Sequence, residues 1–158
     1  MMSVHSISLR TGSSTETVQQ LRKALAETKL ETAKAQTFHW NVKGMAFGPL
    51  HNLFQEIYED HFEAEDTLAE RMRALDVIAD GRLREVLAAS SLIESDPHLK
   101  AEEMVSALAD DQWQLSETMQ DLAKAAETEG DQVTADMAIE RAQIHDKFAW
   151  MLRSHLGN

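Results

Sequence analysis

Apolar residues recur at three- and four-residue steps along most of the chain, in stretches too long to be strands. From Val18 the steps run through Leu21, Leu25, Thr28, Thr32, Ala35 and His39, which is one face of a helix. Ser13-Ser14-Thr15-Glu16 in front of them has the spacing of a capping box and predicts the helix start. Gly44, Gly48 and Pro49 then break the pattern, with Pro49 suited to the first turn of a second helix. That helix carries Leu50, Phe54, Ile57, Ala64, Leu68, Met72 and Leu75 in one stripe and is expected to stop at Asp80-Gly81. Residues 81–99 read as a long connection with a short helix over Leu83 to Ala89, closed by Asp96-Pro97. A third helix is expected from about Lys100 to Glu127 and a fourth, after Gly130, to about Leu156. The fourth should turn Val133, Met137, Ile144, Phe148 and Leu152 inward, and most methionines fall at core spacing. The pattern predicts an all-α four-helix bundle with one long crossover containing a short helix. Residues 1–14 are expected to form a flexible tail and residues 15–158 a single domain, with no repeat and no low-complexity segment.

Composition changes this picture in two ways. A chain of 158 residues can bury a real core without staples, and the absence of cysteine excludes disulfides, thiolate metal sites and cysteine nucleophiles. No apolar run approaches the roughly 20 residues needed to span a bilayer, and the first residues lack the pattern of a secretory signal. The expectation is a cytoplasmic protein with no membrane partner. The net charge of -12 repels nucleic acid and attracts cations. Most of the carboxylates are expected to be solvated helix faces.

The second helix is where the pattern becomes specific. At 100° per residue, with His51 at zero, Gln55 falls at about 40°, Asp66 at about 60°, Glu59 at about 80°, Glu70 at about 100° and Glu63 at about 120°. The apolar stripe lies on the other side, at about 220° to 300°. One narrow face thus gathers a histidine, an amide and four carboxylates, a donor set that suits iron, zinc or manganese better than calcium or magnesium. His51 and Asp66 are about 22 Å apart along a straight helix, so no single metal can bind both within one chain. Two such helices packed antiparallel across a two-fold axis bring His51 of one copy to Asp66 and Glu70 of the other, giving two equivalent sites per pair. His39 ends the inner stripe of the first helix, where the Gly44/Gly48/Pro49 turn can fold it back beside His51. A di-iron site inside one bundle uses Glu-x-x-His motifs, and none of the seven histidines has Glu three residues before it. His61 interrupts the apolar stripe and is read as structural; His5, His98, His145 and His155 are read as surface or packing residues.

The stretch His39-Trp40-Asn41-Val42-Lys43-Gly44, then Phe47, Leu50-His51 and Asp66-Thr67-Leu68-Ala69-Glu70-Arg71 resembles the signature of the Dps mini-ferritins, members of the ferritin-like superfamily. The resemblance extends over nearly the whole chain, including the linker helix and Lys147-Phe148-Ala149-Trp150-Met151-Leu152. It implies the ferritin-like bundle and a hollow homo-oligomeric shell, a dodecamer, that oxidises Fe(II) with hydrogen peroxide or oxygen and stores Fe(III) inside. The implied ligands of a two-iron site are His39 and His51 of one subunit with Asp66 and Glu70 of its neighbour. Trp40, with Trp150 and Tyr58, would absorb stray radicals. Glu127 and Asp136 would line a cation pore; the bland alternative is a solvated helix cap.

One position departs from the pattern, for the family usually has a carboxylate where Gln55 stands. A neutral amide binds iron more weakly, so the second iron position is expected to be weakened or supported by Glu59 or Glu63. Two function classes follow from the resemblance. The first is a ferroxidase and iron store that protects DNA chemically by consuming iron and peroxide together. The second is a structural DNA-condensing shell associated with the nucleoid. Members of the second kind use lysine-rich tails, whereas here Arg10 is the only basic residue besides His5 before Thr15. Twelve copies at -12 each would carry about -144, which opposes phosphate binding.

Overall fold

A computed structural model describes residues 15–157; the expected flexible tail over residues 1–14 lies outside them. Five helices follow one another, α1 (Glu16–Asn41), α2 (Phe47–Ala74), α3 (Leu83–Ala89), α4 (Ala101–Thr128) and α5 (Gln132–His155), with no strand among the described residues. Helix α1 packs on α2 and on α4, α4 on α5, and the short α3 lies across α1. This is the predicted bundle with its crossover.

The helix boundaries show where local signals compete. The first cap is Thr15, whose Oγ1 accepts from the Val18 amide at 3.3 Å, so the expected capping box at Ser13 gives way to a single-residue cap. Helix α2 ends at Ala74 and does not continue to Asp80-Gly81. Asp76 adopts φ +63°, the Val77 amide returns to Met72 O at 3.0 Å and the Asp76 amide to Arg73 O at 3.0 Å. That is a Schellman stop, with Val77 buried as its apolar contact. Val133, expected inward, is 62% exposed. Thr134, Ala135, Ala138 and Ala142 face the core in its place, because the Asp131 cap and the Arg71–Thr134 hydrogen bond set the rotation of α5.

The core falls into two apolar halves. One lies between the end of α1 and the start of α2, around Phe38, Leu50, Phe54, Ile57, Leu108 and Leu152. The other lies at the far end, around Leu21, Leu25, Leu68, Met72, Met119 and Leu122. A polar layer separates them. Gln112 of α4 is fully buried; its Nε2 donates to Glu31 Oε1 of α1 at 3.1 Å and to His61 Nε2 of α2 at 2.9 Å. Its Oε1 accepts from His145 Nδ1 of α5 at 2.8 Å. His61 Nδ1 donates to Asp60 at 2.9 Å, and the Arg141 guanidinium binds both oxygens of Asp60 at 3.1 and 2.7 Å. Burial works against ionisation of Asp60, but the hydrogen bonds from His61 and Arg141 prevail and hold its carboxyl below the usual range.

An amide that satisfies three helices at once is costly to remove. Gln112→Leu should lower the unfolding free energy by about 2–5 kcal/mol, since it leaves Glu31, His61 and His145 without their partner; equilibrium urea unfolding measures it, and an unshifted midpoint would remove the layer from the account of stability. The layer also predicts a pH dependence. Burial pushes the pKa of His61 down and that of His145 well down, so the folded chain keeps both neutral. The unfolded chain takes up protons on them below about pH 6.5, and stability is lost as pH falls from there toward the depressed folded values. Glu31 has the opposite sign. Burial and the nearby Asp111 raise its pKa well above the ordinary value, so its contribution is complete below about pH 4.3 and lost as pH rises. With two histidines against one carboxyl, the urea midpoint should fall between about pH 6.5 and 5, and His145→Gln should flatten that fall.

Candidate metal centre

Helix α1 ends where Val42 closes it with its amide on Phe38 O, and the chain reverses through Gly44 at φ +109°. A backbone conformation of that kind is open to glycine and strained for other residues, so the turn into α2 is short. Its consequence is the contact between His39 and His51, the last turn of one helix against the first turn of the next. The two imidazoles stack with centroids 3.7 Å apart and planes at 16°.

Their tautomers follow from hydrogen bonding. His39 Nδ1 lies 2.7 Å from His51 O, and His51 Nδ1 lies 2.8 Å from His39 O. A carbonyl oxygen only accepts, so each Nδ1 carries the proton and donates. Each Nε2 is left with a free lone pair, the arrangement in which histidine ligates a metal. Phe47 stacks on His51 at 4.9 Å, and Tyr58 meets His39 edge-on at 5.2 Å. His39 is buried and His51 half-buried, while Trp40 beside them is exposed. The expected pairing of His39 with His51 is therefore present within one chain.

Asp66 and Glu70 are exposed on the same helix, four turns further on. Among the described residues no group of three or more His, Asp or Glu side chains within the chain can hold a metal ion. The chain brings the two histidines together and keeps the two carboxylates apart from them. Of the auxiliary residues, Gln55 Nε2 donates to Glu59 Oε1 at 2.7 Å, and Glu63 is exposed. Near the turn before α5, Glu129 and Asp131 serve the fold: Glu129 accepts from the Thr17 amide at 3.2 Å, and Asp131 caps α5 and binds Arg71 Nη2 at 2.9 Å. Glu127 and Asp136 stay exposed, Asp136 accepting from Gln132 Nε2 at 2.9 Å.

The chain matches the family model of the ferritin-like domain over residues 18–158. It is 33% identical over 144 residues to General stress protein 20U of Bacillus subtilis, covering 91% of this chain and 99% of that one. It is 30% identical to DNA protection during starvation protein 2 of Bacillus anthracis, covering 89% and 97%. Its fold superposes on a crystal structure of Dps from Staphylococcus aureus with a TM-score of 0.86 and 34% identity, over 89% of this chain and 94% of that one. The chain belongs to the Dps family of mini-ferritins.

Within that family's frame, helix α2 carries both halves of the candidate site and is pinned along its buried side. Glu65 binds Lys29 at 3.1 Å, Asp60 binds Arg141, His61 binds Gln112 and Arg71 binds Thr134 and Asp131. Sequence reading treated His61 as structural and missed its partners Glu31, Gln112, Arg141 and His145. The available signal was a polar residue inside the α4 stripe: Leu108, Gln112, Leu115 and Met119 share one buried face. The turn gives a test of the site's construction: Gly44→Ala should cost about 1–3 kcal/mol and disturb the histidine pair, read as changed imidazole proton shifts in NMR spectra. Unchanged shifts would mean that the turn does not set the pair.

Proposed function

We propose that this Dps-family chain is a ferroxidase and iron-storage subunit whose metal sites form between two copies. Membership of the family supports iron storage and protection of DNA as the coarse function. What favours the finer reading is the stacked His39–His51 pair, both Nδ1 protons held by backbone carbonyls, on the helix that exposes Asp66 and Glu70 about 22 Å away. Half a ligand set at each end of one helix is what an isologous antiparallel pairing completes twice.

In this reading His39 and His51 bind Fe(II) through Nε2, and Asp66 and Glu70 of the neighbouring copy supply the negative charge. Two Fe(II) lose one electron each, the O–O bond of hydrogen peroxide breaks, and two protons complete two waters. Both electrons leave in one event, so no hydroxyl radical is released. The carboxylates stabilise Fe(III) more than Fe(II) and so lower the barrier to electron loss. Exposed Trp40, with Tyr58 against His39 and exposed Trp150, intercepts radicals that escape. Glu127 and Asp136 draw Fe(II) toward the interior through a pore.

Assembly has its own support. Trp40, Met45, Phe47, Phe62, Leu83 and Ile93 are all at least 46% exposed in the single chain, more apolar surface than a lone soluble domain leaves uncovered. A closed homo-oligomer, as a twelve-subunit cytoplasmic shell, covers it. Protection of DNA is then chemical; the acidic charge opposes direct DNA condensation.

Complementation tests the intersubunit claim. His51→Ala and Asp66→Ala chains should each lose fast peroxide-driven Fe(II) oxidation. Refolded together as a mixture, they should regain about a quarter of the wild-type sites, because a mixed pair unites one intact half from each chain. No recovery on mixing would overturn the shared site, and fast oxidation by either variant alone would overturn the assigned ligands.

A further inference from the structure

Gln55 is the one neutral residue on the carboxylate face of α2, one turn after His51 and one turn before Glu59. Its amide is not free to turn. Nε2 donates to Glu59 Oε1 at 2.7 Å, and a carboxylate only accepts, so the nitrogen must face Glu59 and the carbonyl oxygen must face away. Helical side chains lean toward the helix N-terminus. Glu59 therefore reaches back to the level of Gln55, and Gln55 reaches back toward the turn that holds His51. No other group of the described residues bonds the Gln55 oxygen, and the charged partner polarises the amide, which increases the electron density on that oxygen.

We propose that Glu59 is a positioning residue that presents Gln55 Oε1 as a neutral oxygen ligand, so that the site's second metal position favours divalent over trivalent iron more than a carboxylate would allow. The proposal rests on the intersubunit site described above and deepens it. An anionic ligand attracts a trivalent ion half again as strongly as a divalent one at the same distance, whereas a neutral dipole discriminates far less. Replacing one carboxylate by an amide therefore weakens the hold on Fe(III) more than the hold on Fe(II). Glu59 keeps its charge but sits one turn further away, where its attraction is weaker for either ion. The second position then takes up the substrate ion and lets the oxidised product go, which suits a site that feeds a store.

The test uses two redox-inert probes on the full chain in its assembled form: Co(II), followed by visible absorption, and Tb(III), followed by luminescence. Gln55→Glu should raise the ratio of Tb(III) to Co(II) affinity by about tenfold or more. Glu59→Ala should weaken Co(II) binding at the second position several-fold with the thermal midpoint unchanged, and Glu59→Gln, whose amide oxygen still accepts from Gln55, should restore most of it. An equal gain for both ions in Gln55→Glu, or unchanged Co(II) binding in Glu59→Ala, would overturn the proposal. Co(II) binding that survives His51→Ala would instead overturn the site on which it rests, and the proposal with it.

Discussion

A primary amide shut inside four helices must place its donors and its acceptor with no help from water, and Gln112 places them on three different helices. Sliding any of these helices by one turn breaks at least one of those bonds, so the layer sets the axial register of α1, α2 and α5 against α4. Apolar packing on either side of it is less particular, because leucines and methionines tolerate rearrangement that keeps volume. The Asp60–Arg141 pair and the Glu31 carboxyl close the layer on its flanks. The register matters because α2 holds both candidate ligand sets. Its midpoint, at His61, is tied to Gln112, with His51 ten residues on one side and Asp66 and Glu70 on the other.

The same economy governs the ligand end. The short turn at Gly44 puts His39 against His51, and each ring uses its Nδ1 proton on the other's backbone. Those two bonds do three things together: they satisfy carbonyls near helix ends, stop the rings from turning and leave both Nε2 atoms as donors. A site prepared in this way loses little freedom when a metal arrives. The carboxylate end carries no such preparation, since Asp66 and Glu70 stand exposed.

Much of this was legible beforehand, and the exceptions have physical causes. The linker helix was read over Leu83 to Ala89, its observed span, because flanking turn residues bound a short apolar patch tightly. The His39–His51 contact was legible because a glycine-rich turn between two stripes leaves few ways to reconnect them. The end of α2 was misread because Asp76 takes a left-handed conformation usually signalled by glycine. Val133 was misread because its apolar character says nothing of the rotation of α5, which a hydrogen bond from Arg71 decides across 63 positions of sequence.

By itself, the sequence determined the helical class, the crossover, the acidic charge and the face of α2 on which nitrogen and oxygen ligands collect, because these depend on spacings of three and four residues within one helix. Only the tertiary structure decided which polar residues are buried together, which nitrogen of each histidine is free, and toward which neighbour the Gln55 amide turns. Those outcomes depend on atoms far apart in sequence meeting at hydrogen-bond distance, and a hydrogen bond is too short-ranged and too directional to be read from periodicity.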